Sequence, residues 1–156
     1  MDRIIFGDNQ FFGVNHISEQ HAMLQAKRFK DADSKYRLLA YVNEIGIKSF
    51  MFTTHHQMEP VLKRIASDPA FHDFKLIPCM PYAHKYATAV TDLGILGALE
   101  KYTPGNKVIA GMKGLGSLIT HNPVPAMKLL VDSEMKLLGE HRVETVFLQN
   151  IVTDLL

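Results

Sequence analysis

The chain has 156 residues, of which 47% are hydrophobic and 21% are charged, and this composition fits one globular domain over residues 1–156 rather than two. Its 17 lysines and arginines nearly balance its 16 aspartates and glutamates, and no run of like charges indicates a nucleic-acid or membrane partner. No apolar run approaches the roughly 20 residues that cross a bilayer and no signal-peptide pattern is present, so a cytoplasmic protein is expected.

The first half of the chain is predicted to alternate strands with helices. Apolar runs predict the strands, and apolar residues at helical spacing predict the helices. In chain order these are a strand over residues 3–7, helices over 19–29 and 34–45, a strand over 47–52, a helix over 58–67 and a strand over 74–80. Ser18 is expected to cap the first helix, and Asp33 or Ser34 the second. Gly46 ends the second helix directly before an apolar strand, which is typical of a parallel α/β protein.

The second half of the chain continues this alternation. Helices are predicted over residues 86–102 and 123–138, and a strand over residues 143–149. Residues 107–120 fit either a fourth strand or a glycine-weakened helix, because their apolar positions match both periods. Residues 150–156 are similar to a strand-to-helix loop that begins a further helix. The domain is therefore expected to be incomplete at its carboxyl terminus.

The predicted architecture is an α/β domain of parallel βα units. Four or five such units are about half of a (β/α)8 TIM barrel, which has roughly 250 residues. A truncated TIM barrel, or a half-barrel that completes itself by pairing, is the first expectation. A small doubly wound sheet of the flavodoxin type would give the same alternation and is the alternative.

Polar side chains follow each apolar run at its carboxyl end, and these positions form the candidate site. Ligands bind at the carboxyl ends of the strands in both architectures. The positions are Asp8, Asn9, Gln10 and His16 after the first run, Thr53, Thr54, His55 and His56 after the second, Tyr82, His84 and Lys85 after the third, and Gln149 and Asn150 after the last.

Acid-base chemistry is the expected use of these side chains. Imidazole titrates near neutral pH, and a neighbouring carboxylate can orient it. The expected catalytic residues are His55, His56, His84 and Asp8, and the expected substrate-binding residues are Asn9, Gln10, Thr54, Tyr82, Lys85 and Asn150. Adjacent His55 and His56 are expected to point to opposite sides of an extended chain, so that one of them faces the site. The structural alternative for each histidine is a helix cap or a bond to a loop carbonyl.

The sequence does not identify a cofactor. Histidine and aspartate on neighbouring loops are ligand types for a divalent metal, but no HxH or HExxH spacing occurs and no residue is assigned as a metal ligand. Residues 111–117, GMKGLGS, have the glycine content of an anion-binding loop, yet they match neither the dinucleotide fingerprint nor a P-loop. The single Cys79 cannot form an intramolecular disulfide or a multi-cysteine metal site.

The order strand, loop, helix, glycine and strand over the first 85 residues resembles the start of an aldo-keto reductase barrel. The resemblance implies a barrel fold. Members of that family carry an aspartate at the end of the second strand, a tyrosine shortly after it and a lysine at the end of the third. Here the corresponding places read Phe52-Thr53-Thr54-His55 and Cys79-Met80-Pro81, so the family's nicotinamide chemistry is not implied.

The expected function is that of a TIM-barrel-like enzyme, or its amino-terminal half, which performs acid-base chemistry on a small polar metabolite. The sequence leaves the substrate and the reaction class open. The alternative is a non-catalytic half-barrel that binds a ligand or self-associates as a homo-oligomer to cover open sheet edges.

Overall fold

Helices and parallel strands alternate in the computed structural model, which describes residues 4–80, 92, 97, 124–139, 141 and 143–148. The chain forms two compact units. The first comprises Met1–Pro78 and Glu140–Val146, and the second comprises Cys79–Gly139 and Phe147–Leu156. The predicted helix over 86–102 and the ambiguous stretch 107–120 lie outside the described residues. Within the described part of the chain, no helix is long and apolar enough to cross a bilayer.

The first unit begins with two consecutive helices. Helix α1 spans Glu19–Arg28, and the Ser18 hydroxyl accepts the backbone N–H of His21, as the sequence predicts. Helix α2 spans Ala32–Glu44, but its cap is Asp31 rather than Asp33 or Ser34. Asp31 is extended and its carboxylate accepts the backbone N–H of Ser34 at 2.8 Å, so the helix begins earlier than predicted.

Strand β1 spans Ser49–Thr53 and follows α2 through Gly46, whose φ of 89° is the left-handed stop that the sequence predicts. The predicted strand over residues 3–7 is reduced to a parallel bridge between Phe6 and Phe50. Two backbone hydrogen bonds form that bridge, from Phe6 N–H to Ser49 O at 2.9 Å and from Met51 N–H to Phe6 O at 2.8 Å. Residues 4–6 therefore run beside β1 in the same chain direction.

Helix α3 spans Glu59–Ser67, with Pro60 in its first turn, and leads back to strand β2 at Lys75–Met80. The Lys75 N–H donates to Lys48 O at 2.7 Å, just before β1 begins. Strand β2 also pairs in parallel with strand β3, Phe147–Leu148, in the register Cys79 with Phe147 and Met80 with Leu148. The order of the sheet is thus β1, β2, β3, which confirms a parallel α/β arrangement.

Phenylalanine rings fill the core of the first unit. Phe50 and Phe52 on β1 are fully buried and stack at 5.2 Å, and Phe50 also contacts Phe11 at 5.9 Å. Phe11 in turn meets Phe29, which follows α1, at 5.3 Å. This chain of rings fixes the loop after residue 6 against β1, because displacing a buried aromatic side chain exposes a large apolar surface.

The described part of the second unit is mainly one helix. Helix α4 spans Val124–Met135 and continues into a 3-10 turn at Lys136–Leu138, which ends at Gly139 with a φ of 57°. Leu130, Glu134 and Leu138 are buried. The helix and its glycine stop agree with the sequence prediction.

Candidate functional site

Two loops of the first unit form the candidate site: loop 1, residues 7–13, and loop 2, residues 54–58. Each loop follows a parallel segment at its carboxyl end. Loop 1 contains a 3-10 turn, Asn9–Phe12, in which Phe11 N–H donates to Asp8 O at 2.8 Å. The turn places Asp8 at the end of the segment that runs beside β1.

Asp8 carries a buried carboxylate, with 6% of its surface exposed. Its Oδ2 accepts the backbone N–H and the hydroxyl of Thr53, each at 2.7 Å. A buried carboxylate requires such donors, since burial of an unpaired charge is strongly unfavourable. Both bonds end on Oδ2.

Gly13 closes loop 1 in the left-handed conformation, with a φ of 63°. A Cβ at this position would lie 2.8 Å from both Ala22 O and Ala26 Cβ on α1. Contacts this short are not accommodated without displacing the helix backbone. The glycine therefore allows loop 1 to rest directly on α1.

Loop 2 begins with a sharp turn at buried Thr54, where the His55 N–H donates to Thr53 O at 2.7 Å. This bond spans two residues and is that of a γ-turn. His55 then caps the 3-10 turn His56–Met58, and its Nδ1 accepts the Gln57 N–H at 3.2 Å. A backbone N–H can only donate, so in the neutral ring the proton lies on Nε2.

The sequence predicts that His55 and His56 point to opposite sides of the chain, and this prediction is wrong. Their ring centroids lie 4.1 Å apart with 33° between the planes, His55 partly buried and His56 exposed. The prediction assumed an extended chain, but the γ-turn at Thr54 and the 3-10 turn after His55 remove the alternation of a strand. Both rings therefore belong to one surface.

Loop 1 is held at two places. One is the pair of hydrogen bonds to Asp8 from Thr53, at the end of β1, and the other is an edge-to-face contact between Phe12 and His55 of loop 2, with centroids 5.0 Å apart. Asp8 and the two histidines are thereby held on adjoining loops. The carboxylate and imidazole groups that acid-base chemistry uses are both present in this part of the chain.

The remaining predicted site residues divide into three groups. Asn9 is exposed in loop 1, the Gln10 side-chain amide donates to Gly7 O at 2.7 Å, and Thr54 is buried. His16 is exposed beyond loop 1. The other predicted residues lie outside the described part of the chain: Tyr82, His84, Lys85, Gln149 and Asn150.

Phe12 contributes to the site although the sequence analysis did not select it. It belongs to an apolar pair inside a polar loop and does not stand out by residue type. The unusual FF pair at residues 11–12 is the available signal. One ring enters the core and the other faces His55.

No group of three or more histidine, cysteine, aspartate or glutamate side chains is arranged to hold a metal ion within the described residues. Asp8, His55 and His56 accordingly do not form such a group. His84, the remaining candidate from the sequence, is outside the described part.

No family model, curated protein or solved structure matches this chain. A function for the chain therefore has to be inferred from the geometry of loops 1 and 2.

Proposed function

We propose that this chain is an enzyme, or the amino-terminal part of one, that transfers protons to and from a small polar metabolite bound at loops 1 and 2. One observation carries the proposal: Thr53 fixes the buried Asp8 carboxylate through one oxygen, and the adjoining loop 2 carries two histidine rings whose centroids lie 4.1 Å apart. A positioned carboxylate and an imidazole are groups that general acid-base catalysis requires.

The hydrogen bonds support distinct roles for these side chains. Asp8 is oriented through Oδ2, and Oδ1 is the acceptor for a substrate hydroxyl or C–H proton. His55 has its Nδ1 occupied by Gln57, so its protonated Nε2 serves as a hydrogen-bond donor rather than as a base. Exposed His56 is then the imidazole that exchanges protons with substrate or solvent.

The strand order supports a barrel-like architecture for the domain. Residues 4–6 pair with β1, β1 lies next to β2 and β2 pairs with β3, all in parallel. The pairing of residues 4–6 with β1, and of β1 with β2, is the consecutive order of a (β/α)8 barrel, whereas in a flavodoxin-like sheet the first strand lies between the second and the third. Barrel enzymes bind substrate at the carboxyl ends of their strands, where loops 1 and 2 begin.

The proposal is tested by solvent hydrogen exchange. The protein is incubated in D2O with separate small carbonyl and hydroxy compounds, including pyruvate, dihydroxyacetone and glyceraldehyde, and loss of C–H signal is followed by proton NMR. We expect the protein to accelerate exchange for at least one compound, and His56→Ala to slow it by about 100-fold, the usual scale of acid-base catalysis. His21→Ala, an exposed histidine on α1, is the matched control.

Two results would contradict the proposal. One is exchange no faster than in buffer for every compound. The other is equal slowing by His56→Ala and His21→Ala, which would show that the histidine pair of loop 2 has no special role.

A second candidate is a non-catalytic domain that self-associates through its sheet. Leu148 on β3 is 60% exposed, and Ile4 beside the Phe6 bridge is 62% exposed. Apolar residues at strand edges favour pairing with another chain. Leu148→Lys is expected to weaken any association of this kind, measured by sedimentation velocity over a range of concentrations.

A further inference from the structure

Helix α1 carries an apolar surface that the first unit leaves uncovered. None of its ten residues is buried. The half-covered side chains are Ala22 and Gln25, which face the body of the unit, whereas Met23 and Leu24 are 69% and 64% exposed. Ile17, directly before the Ser18 cap, is 97% exposed. Exposed apolar side chains in one cluster indicate an interaction site.

The arrangement of residues on α1 is self-complementary. A helix turns by about 100° per residue, which places Gln20, Met23, Leu24 and Lys27 on one face, opposite Ala22 and Gln25. Met23 and Leu24 occupy the middle of Glu19–Arg28. Acidic Glu19 lies at the amino end, and basic Lys27 and Arg28 lie at the carboxyl end.

We propose that this face is the contact of a twofold symmetric homodimer in which two copies of α1 pack antiparallel. The twofold axis passes between Met23 and Leu24, so that each packs against its counterpart in the second copy. Glu19 of each copy then comes within reach of the second copy's Lys27, and symmetry forms this ion pair twice. A parallel arrangement would instead place the basic ends of the two helices together.

The charges favour a second copy of this chain over an unrelated partner. Among the described residues, neither Glu19 nor Lys27 has an ion-pair partner within the chain, and the helix dipoles also align favourably in the antiparallel arrangement. One pair of ten-residue helices buries less than the roughly 1,600 Å² of a standard interface. We therefore expect a weak, concentration-dependent dimer.

Sedimentation velocity over a range of protein concentrations tests this dimer. The wild-type protein is expected to pass from monomer to dimer, and Met23→Asp to raise the dissociation constant at least tenfold. Met23 is exposed, so the substitution leaves the fold intact, which circular dichroism verifies. Tyr41→Asp, at a 58% exposed position on α2, is the matched control and should not affect association.

A charge exchange tests the antiparallel register. Glu19→Lys and Lys27→Glu are each expected to raise the dissociation constant about fivefold, because each removes two exposed ion pairs from the symmetric dimer. The double variant Glu19→Lys/Lys27→Glu restores the pairs with reversed polarity and should recover wild-type affinity. Failure of the double variant to recover would overturn the register.

Three other results would overturn the proposal as a whole. A wild-type protein that stays monomeric at several hundred micromolar has no such dimer. A dimer that tolerates Met23→Asp, or one that dissociates with Leu148→Lys and not with Met23→Asp, uses another surface.

Discussion

Thr53 donates its backbone N–H and its hydroxyl to the same Asp8 oxygen, and the two residues are 45 positions apart. The pair ties loop 1 to the end of β1. We expect Thr53→Val to lower the free energy of unfolding by about 1 to 3 kcal/mol, because a buried carboxylate loses one of its two donors. Thr53→Ser keeps the hydroxyl and should stay within about 1 kcal/mol of wild type. Urea denaturation measures both, and equal losses would refute the role of the hydroxyl.

Gly13 permits the close approach of loop 1 to α1. Gly13→Ala is expected to destabilise the protein by about 2 kcal/mol or more, since it adds left-handed strain to a clash with the backbone of Ala22. Gly46→Ala is the control: it has φ of 89° but open space around a new Cβ, and should cost about 1 kcal/mol. Thermal unfolding compares them. A smaller loss for Gly13→Ala than for Gly46→Ala would contradict the packing described.

His55 acts as the cap of the short turn in loop 2. His55→Ala should expose the Gln57 N–H to solvent and speed its hydrogen exchange, because the acceptor Nδ1 is lost. Asparagine is also a capping residue, so His55→Asn should retain most of the protection. Amide exchange followed by NMR at Gln57 distinguishes the two. Unchanged exchange in His55→Ala would mean that the cap is absent in solution.

A tyrosine-carboxylate contact between α2 and the end of α3 gives the fold a pH dependence. The Tyr36 hydroxyl donates to Asp68, which lowers the pKa of Asp68 below its ordinary 3.8 and raises the pKa of Tyr36 above its ordinary 10.0. Because the pKa of the Asp68 carboxyl is lower in the folded than in the unfolded protein, the contact stabilises the folded state at pH values above the unfolded pKa. This stabilisation is lost as pH falls through the folded-state pKa. Because the pKa of Tyr36 is raised in the folded protein, the contact also stabilises the folded state below pH 10.0. This stabilisation is lost as pH rises through the folded-state pKa of Tyr36.

Tyr36→Phe should therefore have a lower urea midpoint than wild type at pH 7. The difference between the two proteins should shrink as pH falls through the lowered pKa of Asp68 in the folded state, where the carboxylate becomes protonated in both. Tyr41→Phe, at an exposed position on α2, is expected to match wild type throughout. A difference for Tyr36→Phe that stays constant from pH 7 down to the acid unfolding of the protein would contradict this linkage.

Local patterns in the sequence predicted the elements that frame the site. Ser18 caps α1, Gly46 ends α2 before β1, and Pro60 lies in the first turn of α3, each because one residue determines the local backbone. The cap of α2 was predicted two or three residues late. Asp31, Asp33 and Ser34 are all good capping residues, and their order in the chain does not show which one is extended.

The contacts inside the site could not be predicted in the same way. The pairing of Asp8 with Thr53 depends on which strands are neighbours, and that is a property of the whole sheet. The contact between the His55 and His56 rings depends on a γ-turn whose central residue is a threonine, and threonine is not a residue that signals such a turn. Sequence located the polar groups at the strand ends, and the backbone turns determined their partners.

The proposed role of Asp8 is tested most directly by the exchange rate of Asp8→Asn on the compound that wild-type protein turns over in D2O. We expect the rate to fall by at least about 100-fold while circular dichroism shows a folded protein, since the amide is nearly isosteric but cannot accept the proton. Asp8→Asn that is folded and exchanges protons at the wild-type rate would contradict the central claim that this carboxylate is the base of the site.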